Sequence, residues 1–265
     1  MERNIIVAAK QVIDPETPAS AMHVNAQRKA METPPNVPPV INGYDENAIE
    51  AALRIKETTG CSVSVISAGT SFAMDVMKKT LAMGCDELIL IEDELLEGID
   101  ASGTAQVLAA AIKKIGTYDL VLCGRQASDF DQAQVPIGIA EFLDIPCATL
   151  ARRVELSDES VVVDRLIPDG HDTIVIPTPA VISVSNELGQ PRYPTLRGIM
   201  AASKKQPLVW NLSDLGLSST DIDHKIETLE IFVPDQTREC EFIGGESEEE
   251  MGRNLALRLR EEKLI

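Results

Sequence analysis

The sequence predicts an α/β fold with a doubly wound, mostly parallel sheet. In residues 1–150, short apolar runs rich in Val and Ile alternate with amphipathic helical patterns. Hydrophobic residues make up 44% of the 265 residues and charged residues 25%, which is the composition of a packed globular domain. Strand–helix alternation of this kind is typical of a parallel sheet with helices on both faces.

Each predicted strand in this region is a short, nearly continuous apolar run, and each predicted helix follows one. The strands are predicted at residues 4–9, 61–67, 87–91 and 118–123. The helices are predicted at residues 45–58, 71–83, 101–115 and 132–143. Asp45 is the expected N-cap of the first helix, and Gly84 and Gly116 follow the ends of two others.

The pattern changes to strands alone after residue 150. Residues 152–167 and 172–176 are two β-rich runs around Pro168-Asp169-Gly170-His171, which is a turn signal, so they predict a β-hairpin. Residues 179–185 then predict one more buried strand. We predict that the α/β domain spans residues 1–205.

A C-terminal arm is predicted over residues 206–265, where the strand–helix pattern ends. Within it, residues 248–264 predict an amphipathic helix with Met251, Leu255 and Leu259 in line. A lone helix of this kind rarely folds by itself, so the arm must pack on its own domain or on another chain.

Charge and composition exclude several classes of protein. The chain has 24 Lys and Arg against 42 Asp and Glu, and this net charge of −18 opposes binding to nucleic acid and to anionic membranes. No apolar run approaches the roughly 18 residues of a spanning helix, and the N-terminus does not resemble a signal peptide. We therefore expect a cytoplasmic protein with no nucleic-acid partner and no membrane insertion.

The sequence contains no pattern for a metal site or for side-chain catalysis. Its five cysteines form no CxxC pair, so buried thiols in a reducing cytosol are expected. The three histidines, His23, His171 and His224, have no paired nucleophile in sequence. The GxGxxG, GxxxxGK[ST], GxSxG and HExxH motifs are also absent. We predict no catalytic residue and no metal.

Residues 123–135 are the strongest candidate for a binding site, because they follow a buried strand and open a helix. Ligands of open α/β sheets bind beyond the carboxyl ends of the strands, and the first amides of a helix bind anions. Gly124 allows close backbone approach, Arg125 offers a charged contact to phosphate, and Asp129 and Asp131 fit helix caps or hydroxyl acceptors. The same features also fit a capped turn without a ligand.

Other strand ends point to the same ligand. Ala8 and Ala68 are small residues at the ends of the first two strands, where they leave room for a base or ribose. Residues 42–45 precede a helix and can line the same crevice. Together these features describe an adenine-nucleotide site on a Rossmann-like sheet, without a hydrolytic apparatus.

One stretch differs from the rest of the chain in charge. Residues 188–213 contain no acidic residue. Their four cations are Arg192, Arg197, Lys204 and Lys205. The stretch fits either a surface for an acidic partner or an ordinary solvated loop. Leu196 within it fits either an exposed docking anchor or a plug of the domain's own core.

Five short motifs occur along the chain in a distinctive order. They are Val7-Ala8-Ala9-Lys10-Gln11-Val12, Asn42-Gly43-Tyr44-Asp45-Glu46, Leu81-Ala82-Met83-Gly84-Cys85-Asp86, Gly124-Arg125-Gln126-Ala127 with Asp129 and Asp131, and Pro191-Arg192-Tyr193-Pro194-Thr195-Leu196. In this order they resemble the electron-transfer flavoprotein β-subunit family. The resemblance covers residues 1–205 well and the tail loosely.

The resemblance implies a heterodimer with a larger α subunit, which supplies most contacts to the FAD that exchanges electrons with dehydrogenases. The β subunit of this family holds AMP or, in bifurcating members, a second FAD. Carried over by motif, the nucleotide-binding residues are Ala8, Asn42, Gly43, Tyr44, Asp45, Ala68, Gly124, Arg125, Gln126, Ala127, Ser128, Asp129, Phe130, Asp131, Gln132, Ala133, Gln134 and Val135. Leu196 would enter a pocket of an acyl-CoA-type dehydrogenase, with Arg192, Tyr193 and Arg197 around it.

Departures from the family pattern leave the nucleotide open between AMP and FAD. Gly43 stands where Pro is common, Phe130 where the residue is small or acidic, and Pro136 where Gly is frequent. The hairpin has Pro168 in place of an acid, whereas residues 132–135 resemble NADH-dependent bifurcating members. The alternative is a stand-alone adenine-nucleotide-binding enzyme or sensor on a related fold; such an enzyme would need an SGGxDS or HxGH motif, which the sequence lacks.

Overall fold

The computed structural model describes residues 3–27, 29–32, 37–222, 225–234 and 240–265. By its internal contacts the chain divides into two compact units, Met1–Ile231 and Phe232–Ile265. The prediction for His224 and part of the prediction for the arm fall outside the described residues.

In the described part of the chain, nine strands form one sheet in the order β11-β10-β9-β12-β8-β1-β6-β7-β13. The strands of the chain are β1 (Asn4–Ala8), β2 (Gln11–Val12), β3 (His23–Asn25), β4 (Ala30–Glu32), β5 (Val40–Ile41), β6 (Ser62–Gly69), β7 (Glu87–Glu92), β8 (Leu120–Gly124), β9 (Cys147–Leu156), β10 (Ser160–Ile167), β11 (Gly170–Pro177), β12 (Ala180–Val184) and β13 (Leu208–Trp210). β2 pairs with β5 and β3 with β4 in two short ladders.

Within the unit Met1–Ile231, helices cover both faces of this sheet or flank it; they are α1 (Gly43–Thr59), α2 (Met74–Met77), α3 (Lys79–Met83), α4 (Ala101–Ile115), α5 (Val135–Leu143) and α6 (Leu196–Lys204). The second unit contains α7 (Glu248–Glu261). The long helix α1 ends at Gly60, whose φ of 72° is the left-handed conformation that glycine adopts without strain.

The centre of the sheet is parallel and buried on both faces. β1 pairs in parallel with β6 and β8, and β8 pairs in parallel with β12. Ile5 and Val7 pack on the layer that contains Ile49 of α1, whereas Ile6 packs on the layer that contains Ile112 of α4. Alternate residues of one strand thus serve two helical layers, which confirms the predicted doubly wound α/β fold.

Two predicted elements are divided in the structure. The helix predicted at 71–83 is instead the two short helices α2 and α3, and the N–H of Ala73, the residue before α2, donates to Gln11 Oε1 at 2.7 Å. The run predicted at 152–167 covers the second half of β9 and all of β10, which are antiparallel strands. In the turn between them, Ser157 N–H donates to Ser160 O at 2.8 Å. Polar residues within a β-rich run marked this turn.

The domain boundary predicted at residue 205 differs from the boundary between the two compact units, which lies after Ile231. β13 extends the main sheet by pairing in parallel with β7, with Leu208 opposite Ile89. Beyond it, Leu212 and Ile222 are buried in the core that also contains α4. A three-residue strand is too short to show a hydrophobic period, so the sequence pattern did not include it.

The second unit contains α7 as its helix. Ser247 caps this helix, because its Oγ accepts from Glu250 N–H at 3.2 Å. Met251 and Leu255 are exposed. No helix among the described residues is long and apolar enough to cross a membrane.

Candidate functional site

The carboxyl ends of three neighbouring parallel strands lie at one edge of the sheet. β1 ends at Ala8, β6 ends at Gly69 directly after Ala68, and β8 ends at Gly124. Residues 125–134, which we name the β8–α5 loop, leave the sheet at this edge and lead into α5. The structure therefore brings the predicted residues of three strands together, as parallel pairing requires.

Asn42, the residue before α1, ties the β8–α5 loop to this edge. Asn42 is fully buried. Its Nδ2 donates to Gln126 O at 2.8 Å, and its Oδ1 accepts from Ser128 N–H at 3.2 Å. Its own backbone N–H donates to Lys10 O at 2.9 Å. One side chain thus fixes the backbone of the loop on both sides of Ala127.

Asp45, in the first turn of α1, joins two strand ends. Its Oδ1 accepts from Gly124 N–H at 2.9 Å and its Oδ2 from Lys10 N–H at 2.7 Å. Burial raises the pKa of Asp45 to about 6, although these hydrogen bonds oppose the rise. The predicted role of Asp45 as N-cap is wrong, because Asn42 occupies the N-cap position and the Asp45 carboxylate is turned to the strands.

Gly124 is required because the start of α1 packs against it. A Cβ at this position would lie 2.6 Å from the Tyr44 carbonyl carbon and would clash with the Asp45 carboxylate. The predicted close backbone approach at Gly124 is present, but the approaching group is the start of α1. The packing of α1 on β8 therefore requires this glycine in its own right, and its predicted role beside a ligand stays a prediction.

The β8–α5 loop holds its shape through its own contacts. Asp131 N–H donates to Ala127 O at 2.8 Å, and Gln126 Nε2 donates to Asp131 Oδ1 at 2.7 Å. Asp131 and Ala133 have φ of 50° and 55°, so α5 begins at residue 135 and not at the predicted residue 132. Gln134 at the N-cap position makes no side-chain cap bond in the described region, and Asp131 shapes the loop and does not cap the helix.

Two cations border the loop. Lys10 Nζ lies 2.6 Å from Asp129 Oδ2 and 5.2 Å from the centre of the Phe130 ring. The Arg125 guanidinium lies 5.5 Å from the centre of the Tyr44 ring. Lys10 was not among the predicted site residues, although it belongs to the opening motif of the chain.

The remaining predicted residues differ in exposure. The Ser128 hydroxyl oxygen is buried without a hydrogen-bond partner among the described residues. Phe130 is 61% exposed, and residues 131–134 are also exposed. Gly43 opens α1. The arrangement offers backbone amides, a hydroxyl group and cations, which can bind an anionic ligand.

Residues 190–200, named here the α6 segment, contain the predicted docking residues. Tyr193 and Leu196 are 85% and 75% exposed, and Arg197 is exposed as well. Leu196 therefore does not plug the core of the domain. Arg192 instead forms an ion pair with Glu50 of α1, with Nε 2.7 Å from Oε2.

The cysteine and histidine side chains of the described residues do not form a metal-binding cluster. Among these residues, no group of three or more His, Cys, Asp or Glu side chains could hold a metal ion. Cys61, Cys85 and Cys123 are buried, and burial raises the pKa of the Cys85 thiol to about 12. His23 and His171 are exposed.

Comparison with protein families gives a match over most of the chain. Residues 36–215 match the model of the electron transfer flavoprotein domain. The matched residues include the start of α1, the β8–α5 loop and the α6 segment.

Two of three similar proteins match nearly the whole chain, and the third matches about two thirds of it. The electron transfer flavoprotein subunit beta of Thermoanaerobacterium thermosaccharolyticum is 37% identical over 99% of this chain and 100% of its own length. The caffeyl-CoA reductase-Etf complex subunit CarD of Acetobacterium woodii is 36% identical over 98% of this chain and 99% of its own. The acryloyl-CoA reductase electron transfer subunit gamma of Anaerotignum propionicum is 40% identical over 64% of this chain and 65% of its own. With the domain match, these identities show that the chain belongs to the electron transfer flavoprotein β-subunit family.

Proposed function

We propose that this chain is the β subunit of a heterodimeric electron transfer flavoprotein and that it binds an adenine nucleotide at residues 124–135. One observation carries the proposal. Asn42 binds the backbone of the β8–α5 loop, and Asp45 binds the backbone at Gly124, the last residue of β8, and at Lys10, just after the end of β1. The backbone that would meet the ligand is therefore held in place by the protein, and binding requires little further ordering.

The residues of the site fit a phosphate group. The start of α5, a helix of 9 residues, carries the positive end of its dipole, and its amide donors there come from residues other than Pro136, which has no N–H. The buried Ser128 hydroxyl has no partner among the described residues, and a phosphate oxygen would satisfy it if the loop opened enough for the ligand to reach it. Lys10 neutralises Asp129 at the loop, so this carboxylate does not repel an anion.

AMP and FAD share the adenosine monophosphate half that such a site would hold. The chain's residues would bind and orient this half in either case. If the ligand is AMP, it has a structural role, whereas FAD would supply electron transfer.

The proposed dehydrogenase partner docks on the α6 segment. An exposed Leu196 beside exposed Tyr193 and Arg197 has the character of a binding hot spot with a charged rim. The names of two relatives refer to caffeyl-CoA reductase and acryloyl-CoA reductase. These names support an acyl-CoA-type dehydrogenase as the partner of this chain.

The proposed contact with the α subunit is made by the arm. Met251 and Leu255 of α7 are exposed apolar residues, and each would add roughly 1.5–3 kcal/mol if buried on a partner. The structure refines where to remove the arm: a chain that ends at Ile231 keeps β13, whereas a cut at residue 206 removes it. We expect the chain ending at Ile231 to retain its cooperative melting and to bind the α subunit more weakly in a titration.

The nucleotide is tested by extracting it from the purified heterodimer and identifying it by mass. The proposal predicts either AMP in addition to FAD, or FAD in excess of the amount that the α subunit holds. Separating the subunits in denaturant and reconstituting them with FAD alone distinguishes these two results. A heterodimer whose β subunit holds no adenine nucleotide at all contradicts the proposal.

A further inference from the structure

α1 carries a row of polar side chains that binds the chain leading into the α6 segment. Asn47 Nδ2 donates to Gly189 O at 2.7 Å, and Arg54 Nη1 donates to Leu188 O at 3.1 Å. Asn47, Glu50 and Arg54 are three and four residues apart, so they lie on one side of the helix.

Glu50 lies at the centre of this row and is only 5% exposed. Its Oε2 accepts from Arg192 N–H at 3.1 Å and from Arg192 Nε at 2.7 Å. Its Oε1 accepts from Arg54 Nε at 2.8 Å and from Arg192 Nη2 at 3.2 Å. Burial alone would raise the pKa of Glu50, but the hydrogen bonds from both arginines lower it, so Glu50 stays ionised at neutral pH.

The α6 segment is fixed again a few residues later. Thr195 Oγ1 caps α6 by accepting from Gly198 N–H at 3.0 Å. A Cβ at Gly198 would clash with Ala82 O, so α6 packs directly on the backbone of α3. The exposed residues Tyr193 and Leu196 thus lie between two points that are held to the domain.

We propose that Glu50 is a positioning residue for partner docking: by binding the backbone and side chain of Arg192, it orders Tyr193 and Leu196 before a dehydrogenase arrives. This inference rests on the proposed docking role of the α6 segment. Glu50 is buried and acts through Arg192. An anchor that is already ordered loses less conformational entropy on binding, so the complex is tighter.

Three variants of the heterodimer separate this role from its alternatives. Glu50→Gln removes the charge but keeps an acceptor, and it is expected to fold because Arg192 and Arg54 reach water with side chains 33% and 46% exposed. Glu57→Gln is the matched control, since Glu57 is an exposed acid that also pairs with Arg192. Leu196→Ala tests the docking role itself.

Each variant is assayed as the electron acceptor of an acyl-CoA dehydrogenase, with the acyl-CoA substrate of that dehydrogenase in excess. The concentration of the heterodimer is varied, and its KM and kcat are measured. For Glu50→Gln we expect KM to rise about tenfold with kcat nearly unchanged. Amides of residues 190–200 should exchange hydrogen faster, whereas those of β1 and β6 should not. For Glu57→Gln we expect a change in KM of less than about twofold.

The outcomes distinguish the positioning role of Glu50 from the docking role of the α6 segment. If Leu196→Ala raises KM but Glu50→Gln changes neither KM nor exchange in the α6 segment, the positioning role is overturned and docking stands. If Leu196→Ala leaves KM unchanged, the docking role fails, and the role of Glu50 fails with it. If Glu50→Gln lowers kcat and speeds exchange throughout the sheet, Glu50 supports the fold generally and the inference is overturned.

Discussion

The β8–α5 loop and the α6 segment are both held by α1, but they present different groups to their surroundings. At the β8–α5 loop, Asn42 and Asp45 bind backbone atoms of the loop and of the end of β8, and the loop leads into the N-terminus of α5. At the α6 segment, Glu50 holds Arg192, and the side chains of the following residues are exposed. One helix thus holds both the β8–α5 loop, where we propose that an adenine nucleotide binds, and the α6 segment, where we propose that a dehydrogenase docks.

The two attachments also differ in charge. Asp45 and Glu50 are both buried carboxyl groups of α1. Burial raises the pKa of Asp45 to about 6, because its partners are mainly uncharged amides. Hydrogen bonds from Arg192 and Arg54 lower the pKa of Glu50 in spite of burial. Of these two desolvated carboxyl groups, only the one that guanidinium groups accompany has a lowered pKa.

The largest effect is expected from Gly124→Val. The new side chain would overlap the backbone of Tyr44 and the Asp45 carboxylate, so α1 would be displaced from β8. We expect the free energy of unfolding, measured in urea, to fall by at least about 3 kcal/mol. Gly43→Val is the matched control, since no atom lies within 4 Å of a Cβ at position 43. Equal stability of the two variants would contradict the attachment described for the β8–α5 loop.

The opposite pKa shifts predict opposite effects of pH. The pKa of Asp45 is raised on folding, so its contribution to stability is present below about pH 4 and is lost as pH rises through about 6. Relative to Asp45→Asn, the unfolding free energy of the natural chain should therefore fall by about 2–3 kcal/mol between pH 4 and pH 7. Denaturant titrations of both proteins across this range measure the difference.

Glu50 provides the comparison for this experiment. Its pKa is lowered from the ordinary value of 4.5, so its contribution is present above that pH and is lost as pH falls through the lower, folded value. The stability difference between the natural chain and Glu50→Gln should thus shrink on acidification. A difference that changes with pH in the same direction as that of Asp45 would show that the arginines do not determine the charge of Glu50.

A smaller effect, confined to binding, is expected from Leu196→Ala. Because Leu196 is 75% exposed, its loss should change the free energy of unfolding by no more than about 0.5 kcal/mol. As a docking hot spot it should raise KM for the dehydrogenase about thirtyfold, which corresponds to about 2 kcal/mol. Leu122→Ala in the fully buried strand β8 is the control, and it should lower stability by about 2–5 kcal/mol. A large loss of stability in Leu196→Ala would reject the docking role.

Local patterns in the sequence predicted the sheet but not the contacts between its distant parts. The helix at Ala101–Ile115 has the predicted bounds: Asp100 caps its first turn and Gly116 follows its last residue, so both ends are defined by neighbouring residues. Asp45 was interpreted as an N-cap because that rule considers neighbouring residues alone, whereas its partner Gly124 is 79 residues away. The bond between Glu50 and Arg192 spans 142 residues. Neither spacing could be predicted from periodicity or turn chemistry.

The central claim is that α1 serves two separate sites, and the amount of adenine nucleotide bound by two asparagine variants tests it most directly. Asn42 and Asn47 are both buried on or beside α1, but Asn42 binds the β8–α5 loop and Asn47 binds Gly189. We predict that heterodimers with Asn42→Ala retain less than about a tenth of the β-subunit nucleotide, because the loop loses two hydrogen bonds to a buried partner. Heterodimers with Asn47→Ala should retain all of it. Equal retention by the two variants would contradict the account.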